Sequence, residues 1–312
     1  MKTAILGSGL IGRSWAMVFA RGGHDVLLWD QDAGQVDKAL AHIARTLPEM
    51  AEAGLIDSPQ QTLARIGAAP GLAAAVADAG FIQENIVERA EPKQRLFGEV
   101  EKLAPEQSIL SSSTSAIMPS IIFGGLASRQ RCLVSHPLNP PHLAPIVELC
   151  GADFTAPEAL AKAKDFMASC GMVPVMVKRE IEGFILNRLQ LAVLNEAFRL
   201  IAEDYVTAGD LDKTIKDGLA LRWCFMGPIE TIDLNAPQGV ADYLERYGPT
   251  IRRVGESQST AAPWPESIGR ELDTERRKDV SREALTKATE WRDKRLMALA
   301  AHKLEQDKKT PR

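Results

Sequence analysis

Three glycines in Gly7-Ser8-Gly9-Leu10-Ile11-Gly12, followed 18 residues on by Asp30, have the spacing of a turn that cradles a dinucleotide pyrophosphate. Such a turn lets the pyrophosphate approach the unpaired N–H groups at a helix N-terminus, where the helix dipole favours negative charge. Three glycines at this spacing also occur in ordinary turns. Here, however, the run follows an apolar stretch, Ala4–Leu6, and opens a helical one, with Leu10 and Ile11 at the helix start. An acid at the end of the next strand can hydrogen-bond a ribose diol and repels a 2′-phosphate, so the expected cofactor is NAD rather than NADP. The alternative for Asp30 is a turn role in Asp30-Gln31-Asp32. Arg13, a candidate partner for a 2′-phosphate, sits just inside the helix, near the pyrophosphate or on the surface.

Removing hydride from an alcohol needs a base for the hydroxyl proton, and histidine has the pKa for it. Of the five histidines, His24 falls in a turn, His42 in a polar-rich helix and His302 in a charged tail, all read as solvated. His142 remains open, but His136 is the stronger candidate. It ends a strand-like run and precedes the rigid loop Pro137-Leu138-Asn139-Pro140-Pro141, at the sheet edge where ligands of doubly wound folds bind. Glu148 follows 12 residues later in the apolar run Ile146–Leu149. An unpaired carboxylate there is costly, whereas pairing with His136 would orient the imidazole and stabilise the imidazolium formed during oxidation. A glutamate at a solvated strand edge is the alternative. Tyr205, Tyr243 and Tyr247 all lack a lysine four residues on, which excludes a Tyr-x-x-x-Lys reductase. Cys132, Cys150, Cys170 and Cys224 form no CxxC pair, so neither a zinc site nor a redox dithiol is expected.

These residues must be positioned by an α/β framework. The first half of the 312 residues alternates short apolar runs with helical patterns, as a mostly parallel sheet built from βαβ units requires. Strands are expected at Ala4–Leu6, Val26–Trp29, Phe81–Asn85, Ile109–Ser112, Cys132–Ser135 and Val173–Val177. A helix over Ala33–Ala53 should break near Pro48. From Asn187 onward the pattern is helical, and Asp273–Leu304 reads as a charged helical tail that frays past Glu305. Two domains follow: a Rossmann-like NAD-binding domain over 1–182 and an all-helical substrate and dimerisation domain over 183–312. A net charge of −4 offers no surface for nucleic acid. With no secretory signal and no run of 18 apolar residues, a cytoplasmic chain without a membrane partner is expected.

The segments Gly7–Met17 (GSGLIGRSWAM), Ile109–Ser115 (ILSSSTS), Ser135–Pro141 (SHPLNPP), Gly183–Leu189 (GFILNRL), Arg222–Glu230 (RWCFMGPIE) and Trp291–Ala298 (WRDKRLMA) resemble the 3-hydroxyacyl-CoA dehydrogenase family, most closely its lambda-crystallin branch. The resemblance spans nearly the whole chain. It implies His136 as base with Glu148 as its partner, and Ser115 and Asn187 bonded to the reacting oxygen. It also places Glu88 and Lys93 at the nicotinamide end of NAD, where by themselves they read as a solvated helix start. Asn139 matches a further cofactor contact, although a turn between prolines explains it equally, and Asn187 could merely cap a helix. The acyl-CoA enzymes carry a lysine-rich helical arm for the CoA phosphates, but Ala39–Leu55 has no lysine. Arg222, beside Trp223, is instead suited to a carboxylate; a surface salt bridge is its alternative. The implied reaction is oxidation of the 3-hydroxyl of a small hydroxy acid, L-gulonate foremost, by a homodimer. L-carnitine, a short-chain 3-hydroxyacyl-CoA thioester, or a crystallin-like structural role without turnover are the alternatives.

Overall fold

Apolar runs too short for helices become strands at the centre of the first half of the chain. In the computed structural model, which describes residues 1–310, they are β1 (Lys2–Leu6), β2 (Asp25–Trp29), β3 (Ile66–Ala68), β4 (Phe81–Glu84), β5 (Ile109–Ser112), β6 (Cys132–Pro137), β7 (Ile146–Cys150) and β8 (Val173–Val177). They form one sheet in the order β3-β2-β1-β4-β5-β6-β7-β8, with every pairing parallel except β6 to β7. The order reverses between β1 and β4. Loops from the carboxyl ends of these two strands therefore part in opposite directions and leave a crevice, the place where such sheets bind ligands. β4, β5 and β6 are buried along their whole length, as strands covered on both faces must be.

The sheet is covered by α1 (Leu10–Arg21), α2 (Ala33–Glu52), α3 (Pro59–Ala64), α4 (Leu72–Val76), α5 (Ala90–Leu103), α6 (Pro119–Phe123) and α7 (Pro157–Ser169). Phe19 of α1 and Phe166 of α7 meet edge to face at 4.9 Å, and Phe166 stacks on Phe81 of β4 at 4.3 Å, locking both helices to one face. The break expected at Pro48 does not occur. Pro48 is on the exposed side of α2 while Leu47 and Met50 are buried, so packing outweighs the lost backbone bond.

The rest of the chain is helical: α8 (Leu186–Ala202), α9 (Ala208–Thr214), α10 (Ala220–Trp223), α11 (Pro228–Asp233), α12 (Val240–Ser259), α13 (Ile268–Asp279) and α14 (Leu285–Lys309). The chain divides into two compact units, one of Met1–Arg188 with the segment from Trp291 on, the other of Leu189–Glu290. The C-terminal segment, grouped by sequence with the helical domain, thus belongs with the sheet. Met297 is the reason: it is 5% exposed and joins the core cluster of Ile43, Leu47 and Met50, with Leu296 packed against that cluster. The helix continues past Glu305 to Lys309, and only the last two residues of the expected fraying tail lie outside those described. No described helix is long and apolar enough to cross a membrane.

Candidate active site

The glycine turn links the end of β1 to α1, and Gly7 and Gly12 are required there by sterics. Gly7 has φ +89°, and a Cβ there would lie 2.8 Å from the Asn85 carbonyl; a Cβ on Gly12 would lie 1.9 Å from the Gly7 oxygen. Gly9 differs, because a Cβ there would meet nothing within 4 Å. That open side adjoins the start of α1, for which Gly9 is an N-cap without a side-chain hydrogen bond. Leu10 and Ile11 follow, so the first N–H groups of the helix are left for an anionic ligand. Asp30, at the end of β2, faces the same turn. Its carboxylate accepts from the Ser8 N–H at 2.8 Å and from the Asp32 N–H at 3.1 Å. The bond from the Asp32 N–H is the turn role open to Asp30, which therefore shapes this turn as well as facing the glycine loop, while Asp32 caps α2 by accepting from the Gly34 N–H at 2.9 Å. Arg13 is half-buried with His42, Arg45 and Asp293 as its electrostatic neighbours, so it faces α2 and α14. An open turn with an acid at the second strand fits NAD.

β6 delivers His136, and β7 returns antiparallel so that Glu148 lies directly opposite it in register. His136 Nδ1 and Glu148 Oε2 are 2.8 Å apart, and the side chains are 5% and 2% exposed. The second carboxylate oxygen accepts the N–H groups of Ile185 and Leu186, at 2.8 and 2.9 Å. These donors stand at the beginning of α8, where backbone N–H groups lack helical partners and favour a negative charge. The turn that aims them holds Phe184 at φ +47°, an uncommon conformation for a side chain of this size. Its buried ring packs 5.4 Å from the His136 imidazole.

Ser115 lies just beyond β5, the parallel neighbour of β6. Its carbonyl accepts from Asn187 Nδ2 at 2.7 Å, so these two residues, 72 apart in sequence, are brought together. Glu88 binds the same segment: one of its oxygens accepts from Thr114 Oγ1 (2.5 Å), the Ser115 N–H (2.7 Å), the Ala116 N–H (3.2 Å) and the Ser115 hydroxyl (3.2 Å). Partial burial works against the Glu88 carboxylate, but these bonds and nearby Lys93 outweigh it and hold its pKa below the ordinary value. Lys93, placed by resemblance at the nicotinamide, is only 1% exposed. Its ammonium donates to Glu84 at 2.8 Å and lies 3.4 Å from Glu88, so its reach toward a ligand runs through Glu88. Sequence reasoning missed Glu84; the signal was a carboxylate closing the buried strand Phe81–Glu84. Asn139 is exposed in the loop after β6.

The other candidate groups fall away on physical grounds. His142 is 5% exposed and its Nδ1 has no hydrogen-bond partner. Burial first, then Arg21, pushes its pKa down to about 3, making it a poor proton acceptor. Burial raises the thiols of Cys132, Cys150 and Cys170 to about 12, which leaves them inert. No cluster able to hold a metal exists among the described residues. Arg222 lies in the second unit, on α10, and is exposed.

A doubly wound sheet with an open glycine turn, an acid at the second strand and a buried imidazole–carboxylate pair at the carboxyl edge defines an NAD-dependent dehydrogenase. Comparison with known proteins sharpens the class. Residues 2–181 match the profile of the 3-hydroxyacyl-CoA dehydrogenase NAD-binding domain, and residues 183–279 that of the family's C-terminal domain. The chain belongs to the 3-hydroxyacyl-CoA dehydrogenase family. It is 40% identical to the lambda-crystallin homolog of Mus musculus, over 98% of this chain and 97% of that one. It is 35% identical to an L-carnitine dehydrogenase of a Pseudomonas species, over 86% and 83%. A 5-formyl-3-hydroxy-2-methylpyridine 4-carboxylic acid 5-dehydrogenase has the same fold, with TM-score 0.82 over 96% of both chains at 23% identity.

Proposed function

We propose that this dehydrogenase oxidises the 3-hydroxyl of a small free hydroxy acid, with L-gulonate, giving 3-dehydro-L-gulonate, as the substrate its residues favour. The buried pairing of His136 with Glu148 carries the reading. With Nδ1 donating to Glu148, the imidazole keeps Nε2 unprotonated, the form that can take the hydroxyl proton. Glu148 then stabilises the imidazolium. Ser115 and Asn187, tied by the bond from Asn187 Nδ2 to the Ser115 carbonyl, hold the reacting oxygen. NAD, when bound, supplies the hydride acceptor. Gly7, Gly9, Gly12, Leu10, Ile11 and Asp30 bind it at the pyrophosphate and ribose, with Glu88, backed by Lys93, toward the nicotinamide and Asn139 as a further contact.

One feature argues for a free acid rather than a CoA thioester: α2 carries no lysine from Ala39 on. Arg222 then grips the substrate carboxylate. L-carnitine is the second reading, favoured by the relative of that name and by the exposed ring of Trp223, suited to a trimethylammonium group. The test is steady-state NADH formation with L-gulonate, L-carnitine and 3-hydroxybutyryl-CoA. The highest kcat/KM is expected with L-gulonate; equal or better turnover of either rival sinks the gulonate reading, and no turnover of any leaves a crystallin-like role.

The working form proposed is a homodimer through the helical unit. In Leu189–Glu290 the only described hydrophobic residues buried in full are Ala197 and Ile268, while Leu189, Leu221, Phe225, Ile229 and Leu234 are all more than 60% exposed. The unit also holds an apolar groove of about 1080 Å³ lined by Val193, Leu200, Val206 and Leu219 among others. A unit so short of core needs a second apolar surface, and a second copy supplies a self-complementary one.

A further inference from the structure

Glu84 touches none of the groups assigned above to the substrate, yet its carboxylate is fully enclosed and fully bonded. It accepts from Lys93 Nζ at 2.8 and 3.0 Å, from Ser112 Oγ at 2.6 Å and from the Ile86 N–H at 2.6 Å. Burying a carboxylate with an ammonium is no bargain for stability, because apolar residues of equal volume do as well without the desolvation cost. The pair therefore calls for another reason, and the next contacts supply one. Lys93 Nζ also lies 3.4 Å from Glu88, whose other oxygen gathers Thr114, Ser115 and Ala116. The Ser115 carbonyl in turn holds Asn187. A second route is shorter: the Thr114 N–H donates to Ser112 Oγ, the hydroxyl bonded to Glu84.

We propose that Glu84 is a positioning residue, which by anchoring Lys93 and Ser112 holds Glu88 and the Thr114–Ala116 segment in the geometry that Ser115 and Asn187 need to bind the reacting oxygen. The charges explain why a carboxylate is required. Lys93 stands between two acids. With Glu84 neutral, Glu88 becomes its only counter-ion and is drawn inward, away from the donors of the 114–116 segment. The catalytic half of the inference rests on the roles proposed for Ser115 and Asn187; the ordering of the segment does not.

The experiment compares Glu84→Gln, Lys93→Met and the double variant by hydrogen exchange of the 113–117 segment without cofactor, by thermal melting, and by kinetics on whichever hydroxy acid the natural chain turns over. Each single variant leaves a buried charge short of its partner and lowers the melting temperature; the double variant recovers it. In the double variant the Ser115 and Ala116 amides nevertheless exchange at least about tenfold faster, and kcat falls about 10- to 100-fold with KM for the acid changed less than about threefold. Natural protection at 115 and 116 in the double variant overturns the inference and makes the pair structural only. Lost protection with unchanged kcat overturns its catalytic half. Absence of turnover in the natural chain defeats the substrate reading instead, while the exchange result still decides whether Glu84 orders the segment.

Discussion

Replacing Glu148 by glutamine tests the proposed base through a single proton. Three donors converge on the Glu148 carboxylate: His136 Nδ1 at 2.8 Å on one oxygen, and the N–H groups of Ile185 and Leu186 at 2.8 and 2.9 Å on the other. Glutamine is nearly isosteric but has one acceptor oxygen and one NH2 group. The two backbone N–H groups demand the oxygen, so the NH2 must face His136. Nδ1 is then forced to accept, and the imidazole proton moves to Nε2, the nitrogen that has to be empty to receive the hydroxyl proton. Loss of the charge-assisted bond is worth about 1.5–3 kcal/mol, and the wrong tautomer adds to it. A total of about 3–5 kcal/mol corresponds to roughly 10²–10⁴ in rate, the range in which carboxylate-to-amide changes in comparable triads fall. Stopped-flow NADH formation reads the rate, NADH fluorescence should show cofactor binding retained, and the backbone bonds to the amide oxygen should keep the fold. A kcat within about threefold of the natural chain refutes the reasoning, since no rotamer of glutamine satisfies all three donors and leaves Nε2 free.

Asp30→Arg removes the ribose acceptor and installs a cation beside it; kcat/KM for NAD should fall about 10- to 100-fold while NADP turnover appears, and an unchanged preference counts against Asp30 as the selector. Acid should weaken the fold through His142 and His42, held neutral mainly by burial at about 3 and about 4. The unfolded chain takes up these protons below about pH 6.5 and the folded one does not, so stability is full above that pH and falls as pH drops toward 4 and then 3. The bound from His142 is about 5 kcal/mol, with less from half-exposed His42; urea titrations at pH 7 and 4.5 should show the slope in the natural chain and a shallower one in His142→Leu. Leu234→Glu, at a side chain 72% exposed, should convert a dimer to monomer by light scattering with little change in melting of the sheet unit; a natural chain already monomeric dismisses the dimer.

The groups with chemistry were readable because their types are unusual where they stand. Two glycines that no other residue can replace, Gly7 and Gly12, an acid ending a strand, a histidine before prolines and a carboxylate in an apolar run each violate what packing alone would select. Charged residues misled in the opposite direction. Lys93 and Glu84 belong to types that are almost always solvated, and their burial depends on one another across nine residues, which no local pattern reports. Met297 was hidden in the same way, because no local pattern sets it apart from Leu296 and Leu299 beside it in a charged helix. Pro48 was overread, because a local rule about proline yields when neighbours on the other side of the helix are buried.

The amino-acid sequence alone singled out the glycine turn, Asp30 as the acid expected at the ribose, the candidate base and its partner, and the change to helices from Asn187 onward, since these depend on residue type and short spacing. Tertiary structure decided what those residues do to one another. The antiparallel return of β7 sets Glu148 opposite His136, the start of α8 supplies its remaining donors, and the ends of β4 and β5 join Glu84 to Ser115 through Lys93, Ser112 and Glu88. The physical reason is range: propensity and periodicity act over a few residues, whereas a desolvated charge is satisfied only by partners the fold brings from far along the chain.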